Sequence, residues 1–96
     1  MTWPIDWLPQ AEANRFDQLD YIAQENPLAA ADIDDEIERQ LSLLTSQPEM
    51  GRSGRVRGTR ELVMAGTPFV VVYRLNGDRI QILRLLHHAQ SWPGVA

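Results

Sequence analysis

The sequence predicts an α+β fold: an N-terminal strand, then an antiparallel helix hairpin packed on a C-terminal antiparallel sheet of three to four strands. Three observations predict it. The apolar period lengthens from two residues to three or four at Pro9. Asn26-Pro27 separates two helical stretches. From Arg60 onward, β-branched and aromatic residues dominate between turn residues. The 96 residues are expected to form one domain, 1–96. A chain of that length buries about 60–65% of its unfolded surface.

The elements follow in order. Trp3, Ile5 and Trp7 alternate with Pro4, Asp6 and Leu8, the period of a strand. Pro4 cannot donate to a ladder, so this is an edge strand or a strand start. From Pro9, Ala13, Phe16, Leu19 and Ile22/Ala23 step by three or four along one helix face, to an end near Asn26. Asn26 suits the N-cap of a second helix and Pro27 its first turn. Ala30, Ile33, Ile37, Leu41 and Leu44 make its apolar stripe, and Pro48 stops it. Asp32, Asp35, Glu36 and Glu38 lie off the stripe as a solvated face. Residues 51–58, Gly51-Arg52-Ser53-Gly54-Arg55-Val56-Arg57-Gly58, read as a Gly/Arg loop or short edge strand. They lack the spacing and the Lys of a phosphate-binding loop.

Arg60 to Ala65 reads as a strand, Gly66-Thr67-Pro68 as a turn, and Phe69 to Leu75 as strongly β. Asn76-Gly77 is a two-residue hairpin turn, with Arg79 to His87 as the return strand. That turn sets Arg74 opposite Arg79, Tyr73 opposite Ile80, Val71 opposite Ile82 and Phe69 opposite Arg84. Phe69, Val71, Tyr73, Ile80, Ile82 and Leu86 then face the helices. Val70, Val72, Arg74, Arg79, Gln81, Leu83 and His87 face the open side. Arg84 falls on the apolar face, so it must reach solvent, pair with a carboxylate or mark a bend. Arg74 opposite Arg79 invites an anion on the open face.

The formal charge of −4 conceals two halves of opposite sign. Residues 1–50 hold 11 acids and 2 arginines, and residues 51–96 hold 7 arginines and 2 acids. Every basic residue is Arg, a planar fork suited to phosphates and carboxylates. Either the acidic and basic parts complement each other internally, or the basic half meets an acidic partner, protein or nucleic acid. With no Cys there is neither a disulfide nor a thiolate metal site, and the two His have no further ligand at usable spacing. No metal or cofactor is expected. No apolar run reaches the ~18 residues of a membrane span, and residues 1–6 have no signal-peptide character, so a cytoplasmic protein is expected.

The order of elements and several motifs resemble toxins of the RelE/ParE superfamily from bacterial type II toxin–antitoxin modules. The carriers are the helix hairpin with Asn26-Pro27 and Ala30, then Pro48-Glu49-Met50-Gly51-Arg52 and Gly58-Thr59-Arg60-Glu61-Leu62-Val63. Pro68 to Arg74, ending in Tyr73-Arg74, follows, with Ile82-Leu83-Arg84-Leu85-Leu86-His87 and Trp92-Pro93. The resemblance implies a small toxin, free of cofactors, that inhibits growth and is neutralised by a cognate antitoxin. The antitoxin would wrap a flexible segment around the toxin and bind promoter DNA itself. An acidic segment would suit the Arg-rich half.

The superfamily implies one of two targets. ParE-like members resemble inhibitors of DNA gyrase without a catalytic site. RelE-like members resemble ribosome-dependent mRNA endonucleases, with an Arg on the middle strand, another after the last strand and an aromatic near the C-terminus. Those places hold Met64 or Ala65, Gln90 and Trp92 here, so two of the three are lost. An acidic net charge also suits the decoding centre badly. The balance favours the ParE-like reading; a nuclease would depend on His88, His87, Arg84 and Trp92. A third reading is a decayed toxin kept as a co-repressor. The candidate target- or antitoxin-binding residues are Arg52, Arg55, Arg57, Arg60, Arg74, Arg79 and Arg84, against the plainer reading of surface ion pairs. For the two His and Trp92 the plainer reading is packing or surface placement.

Overall fold

The structure, a computed structural model, describes residues 2–88. Strand β1 (Ile5–Trp7) leads into α1 (Pro9–Glu25) and α2 (Pro27–Ser46). Strands β2 (Arg52–Ser53), β3 (Arg60–Val63), β4 (Phe69–Asn76) and β5 (Arg79–His87) follow. Both helix starts lie where the prolines put them, and the Asn26 side chain accepts the Ala29 N–H at 3.1 Å. Among the described residues the sheet has five strands, in the order β1-β5-β4-β3-β2. Two additions carry it beyond the expected three or four. The Gly/Arg segment supplies β2, and β1 joins the edge of β5 in parallel, with Ile5 beside Ile80 and Trp7 beside Ile82. The sheet is therefore mixed: the β2–β3, β3–β4 and β4–β5 pairings are antiparallel, and the β1–β5 pairing is parallel.

The core lies between the helix pair and one face of the sheet. Ala11, Ile37, Leu41 and Leu44 pack there with Leu62, Met64, Phe69, Val71, Tyr73, Ile80, Ile82 and Leu85. The α2 stripe is as expected, with Ile33 half-buried. The α1 stripe is not: Ala13 is exposed, and Phe16 is 71% exposed and outside the core. Ala11 takes the fully buried place on α1, with Leu19 and Ile22 packed beside it.

Two features change the expected register of β4 and β5. The hairpin turns on Gly77-Asp78 rather than Asn76-Gly77, so Asn76 faces Arg79 and Leu75 faces Ile80. Gly77 has φ +63° while Asp78, the second central residue, does not have positive φ, the pattern of a turn that needs glycine only at its first central position. This moves the pairing by two residues, so each side chain keeps its face. Then Leu83 bulges out of β5: Tyr73 pairs with Ile82 and Val72 with Arg84. A bulge reverses the side of every later residue. Leu85 and His87 turn to the helix side in place of Leu86, and Arg84 and Leu86 to the open side. Arg84 thus marks a bend, and its charge does not enter the core.

A buried phenol pins the link between α2 and β2. Tyr73 Oη donates to the Pro48 carbonyl at 2.8 Å and accepts the Gly51 N–H at 2.9 Å. Burial raises its pKa above the ordinary tyrosine value. A Cβ on Gly51 would lie 2.6 Å from that oxygen, so only glycine fits.

Candidate functional site

Pleat alternation and the bulge gather arginines on the sheet face opposite the helices. Arg74, Arg79 and Arg84 come from the β4–β5 hairpin and Arg52 from β2, with Arg55 on the following loop. Arg60 pairs with Tyr73 and therefore sits on the helix side; it donates to the carbonyls of Gly51 at 2.8 Å and Glu49 at 3.2 Å. Arg57 is exposed at the loop tip. The predicted Arg-rich surface is thus one face and an adjoining loop, with Arg60 serving as a loop anchor.

Most of these heads already have partners. Arg79 grips Asp6 through two bonds, Nε to Oδ2 at 2.6 Å and Nη2 to Oδ1 at 2.7 Å. Arg74 Nε donates to Gln81 Oε1 at 2.6 Å, and Arg84 Nη1 to its neighbour's carbonyl, on Leu83, at 2.7 Å. Arg74 stands opposite Gln81, not Arg79, so the expected clash of two guanidiniums does not arise. With it goes that argument for an anion on the open face.

Sequence reasoning missed the centre of this surface, Glu61. Its side chain is fully shielded, facing the open side beside Val72. It accepts the Arg55 N–H at 2.8 Å and Arg55 Nε at 3.2 Å, and lies 3.4 Å from Arg52. Burial alone would raise the carboxyl pKa; the hydrogen bonds from Arg55 and Arg52 outweigh it and hold the pKa below the ordinary value. The one signal was compositional: Glu61 is the sole acid among the arginines from Arg52 to Arg74.

The nuclease set is divided. Arg84 and His87 project to opposite faces of β5, three residues apart beyond the bulge. His88 has left the strand, its N–H bound to the Pro68 carbonyl at 2.9 Å, so its ring can approach that of His87 with centroids 4.7 Å apart. Met64 is sealed in the core and Ala65 offers only a methyl group. Gln90 and Trp92 lie outside the described residues. Among the described residues no group of three or more His, Cys, Asp or Glu side chains could hold a metal, and no helix is long and apolar enough to cross a membrane.

The helix pair is a second, anionic surface. Arg15 of α1 binds Asp34 and Glu38 of α2 and lies over the Trp7 ring at 5.0 Å. Arg39 pairs with Glu36 along α2, and with Gln40 lowers the Glu36 carboxyl to about 2. The ion pairs thus run within the helix pair, within the loop and sheet, and between the two outer strands on β5's side.

Comparison with known proteins fits this architecture. A family model described as the ParE toxin of type II toxin–antitoxin systems matches residues 5–92. A protein of Sinorhizobium fredii, described as "Putative toxin Y4kP", is 38% identical over 92 residues, covering 95% of this chain and 94% of its own. A solved chain of the chromosomal ParDE toxin–antitoxin system of P. aeruginosa superposes with a TM-score of 0.79 at 27% identity, covering 90% of this chain and 96% of that one. A chain of the RelBE2 toxin–antitoxin complex of Mycobacterium tuberculosis shares the fold, with a TM-score of 0.61 at 17% identity over 91% of this chain and 99% of its own. The sheet, the hairpin and these likenesses together place the chain in the ParE toxin family of type II toxin–antitoxin systems, a branch of the RelE/ParE superfamily.

Proposed function

We propose that the protein inhibits bacterial growth by binding DNA gyrase without catalysis, and that a cognate antitoxin neutralises it by direct contact. The observation that carries the non-catalytic reading is the division of Arg84 from His87 across β5. Cleavage of RNA by a ribonuclease of this kind needs a proton-transfer group and a phosphate-stabilising cation at one phosphodiester. Met64, shielded at the middle-strand place, supports the same reading. Membership of the ParE family supports gyrase over the ribosome as target. The Arg52, Arg55, Arg74 and Arg84 face would receive an acidic antitoxin segment, which folds as it binds.

Regulated expression tests the proposal. Growth should arrest, co-expression of the neighbouring small open reading frame should restore it, and a DNA-damage response should appear while mRNA stays intact. Purified protein should inhibit supercoiling by gyrase. Codon-phased mRNA cuts that vanish in His88→Ala would overturn the reading in favour of a ribosome-dependent endonuclease. Unimpaired growth would indicate a decayed toxin.

A further inference from the structure

We infer that Asn76 is a self-modification site: its carboxamide deamidates through attack by the Gly77 backbone nitrogen, leaving aspartate or isoaspartate at the end of the β4–β5 hairpin. The inference stands on the turn alone and does not depend on which target the toxin poisons. The reaction needs a mobile carboxamide and an unhindered N–H on the next residue, and the asparagines of this chain differ in both. Asn14 lies within α1, where the next N–H, on Arg15, belongs to the helix ladder, and its Oδ1 accepts the Leu85 N–H at 3.3 Å. Asn26 caps α2 through the Ala29 N–H and precedes Pro27, which has no N–H to attack with. Asn76 meets both conditions. It is exposed, and its carboxamide makes no hydrogen bond among the described residues. Gly77 follows with φ +63°, and a Cβ built there would touch nothing within 4 Å, so neither a side chain nor a neighbour blocks its nitrogen. Asn76 and Arg79 are the last pair of the ladder before the turn, and the N–H of a central turn residue takes no part in closing it. The extended backbone of this last pair restrains the reaction, and it opens by local fraying rather than by unfolding of the sheet.

The step balances with water alone. The Gly77 nitrogen gives up its proton to solvent base and bonds to Asn76 Cγ, closing a cyclic imide, and the carboxamide nitrogen leaves as ammonia. Water then adds to the imide. Opening at Cγ restores the original backbone and gives aspartate. Opening at the main-chain carbonyl leaves the backbone running through Cγ, as isoaspartate. Either product adds a negative charge beside Arg79, whose guanidinium Asp6 holds through bonds of 2.6 and 2.7 Å. Isoaspartate also lengthens the chain by a methylene at the pair next to Ile80, whose N–H binds the Pro4 carbonyl at 2.9 Å. Both changes fall on contacts that fix β1 to β5, so an aged molecule holds its first strand less firmly.

Incubation of the full chain at mildly alkaline pH, followed by tryptic mapping, tests this. Cleavage after Arg74 and Arg79 releases Leu75 to Arg79 as one short peptide. That peptide should gain the mass of an amide-to-acid conversion at least about tenfold faster than the peptides that hold Asn14 and Asn26. An isoaspartyl methyltransferase should label it, and a mildly acidic pH should slow the gain. Asn76→Gln, whose longer side chain disfavours the ring, should abolish the gain. The same variant should keep its melting temperature through an incubation that lowers that of the wild type. Conversion of Asn14 or Asn26 at the rate of Asn76 would overturn the inference. So would an Asn76 that stays intact in the folded chain while the urea-unfolded chain converts, because the turn would then protect it. An equal fall in melting temperature for Asn76→Gln would overturn the link to β1.

Discussion

Two single residues hold the segment between α2 and β3. Gly51 lies against the Tyr73 hydroxyl with no space for a methyl group. Gly51→Ala is expected to lower stability by about 1–3 kcal/mol, read from the urea midpoint, because neither the buried ring nor the backbone can yield without losing a hydrogen bond. Glu61 does the same work electrostatically, and its depressed pKa fixes the pH dependence. A carboxyl whose folded pKa lies below its unfolded value near ~4.3 stabilises the protein above that value. The contribution disappears as the pH falls through the folded pKa. Between pH 7 and pH 3, the wild type should therefore lose stability more steeply than Glu61→Gln. Parallel curves would show that the carboxylate charge contributes nothing.

At the scale of elements, caps and turns carry the local information. Asn26→Ala is expected to cost about 1 kcal/mol, through the lost bond to the Ala29 N–H, and thermal unfolding checks it. Gly77→Ala should cost about 1–2 kcal/mol, since a Cβ disfavours its positive φ. These elements were legible because their signals are local: Pro9, Asn26-Pro27 and Pro48 delimit the helices within the sequence itself. The bulge at Leu83 was not legible, because both strands read as continuous β and only the packing of Leu85 against the helices selects it. With the bulge unseen, Leu86 and His87 were assigned to the wrong face, while for Arg84 the bend was one of three readings left open. Phe16 misled for a related reason. Helical period identifies a face, but it does not say whether the sheet is wide enough to cover it.

Over the whole molecule, charge is divided between two surfaces rather than mixed. Such a division governs association rates more than stability. The pair Arg52→Gln and Arg55→Gln is expected to slow association with the cognate antitoxin about tenfold at low salt. The difference should close near 1 M salt, where screening is complete within about 3 Å. Stopped-flow mixing at several ionic strengths measures both. The parallel pairing of β1 with β5 has a consequence during synthesis. Ile5 to Trp7 find their neighbours only when Ile80 to Ile82 are made, about 75 residues later. A nascent chain stalled before that point keeps Trp7 and the edge of its first strand without a place to settle. Incomplete translation products therefore cannot acquire the finished sheet.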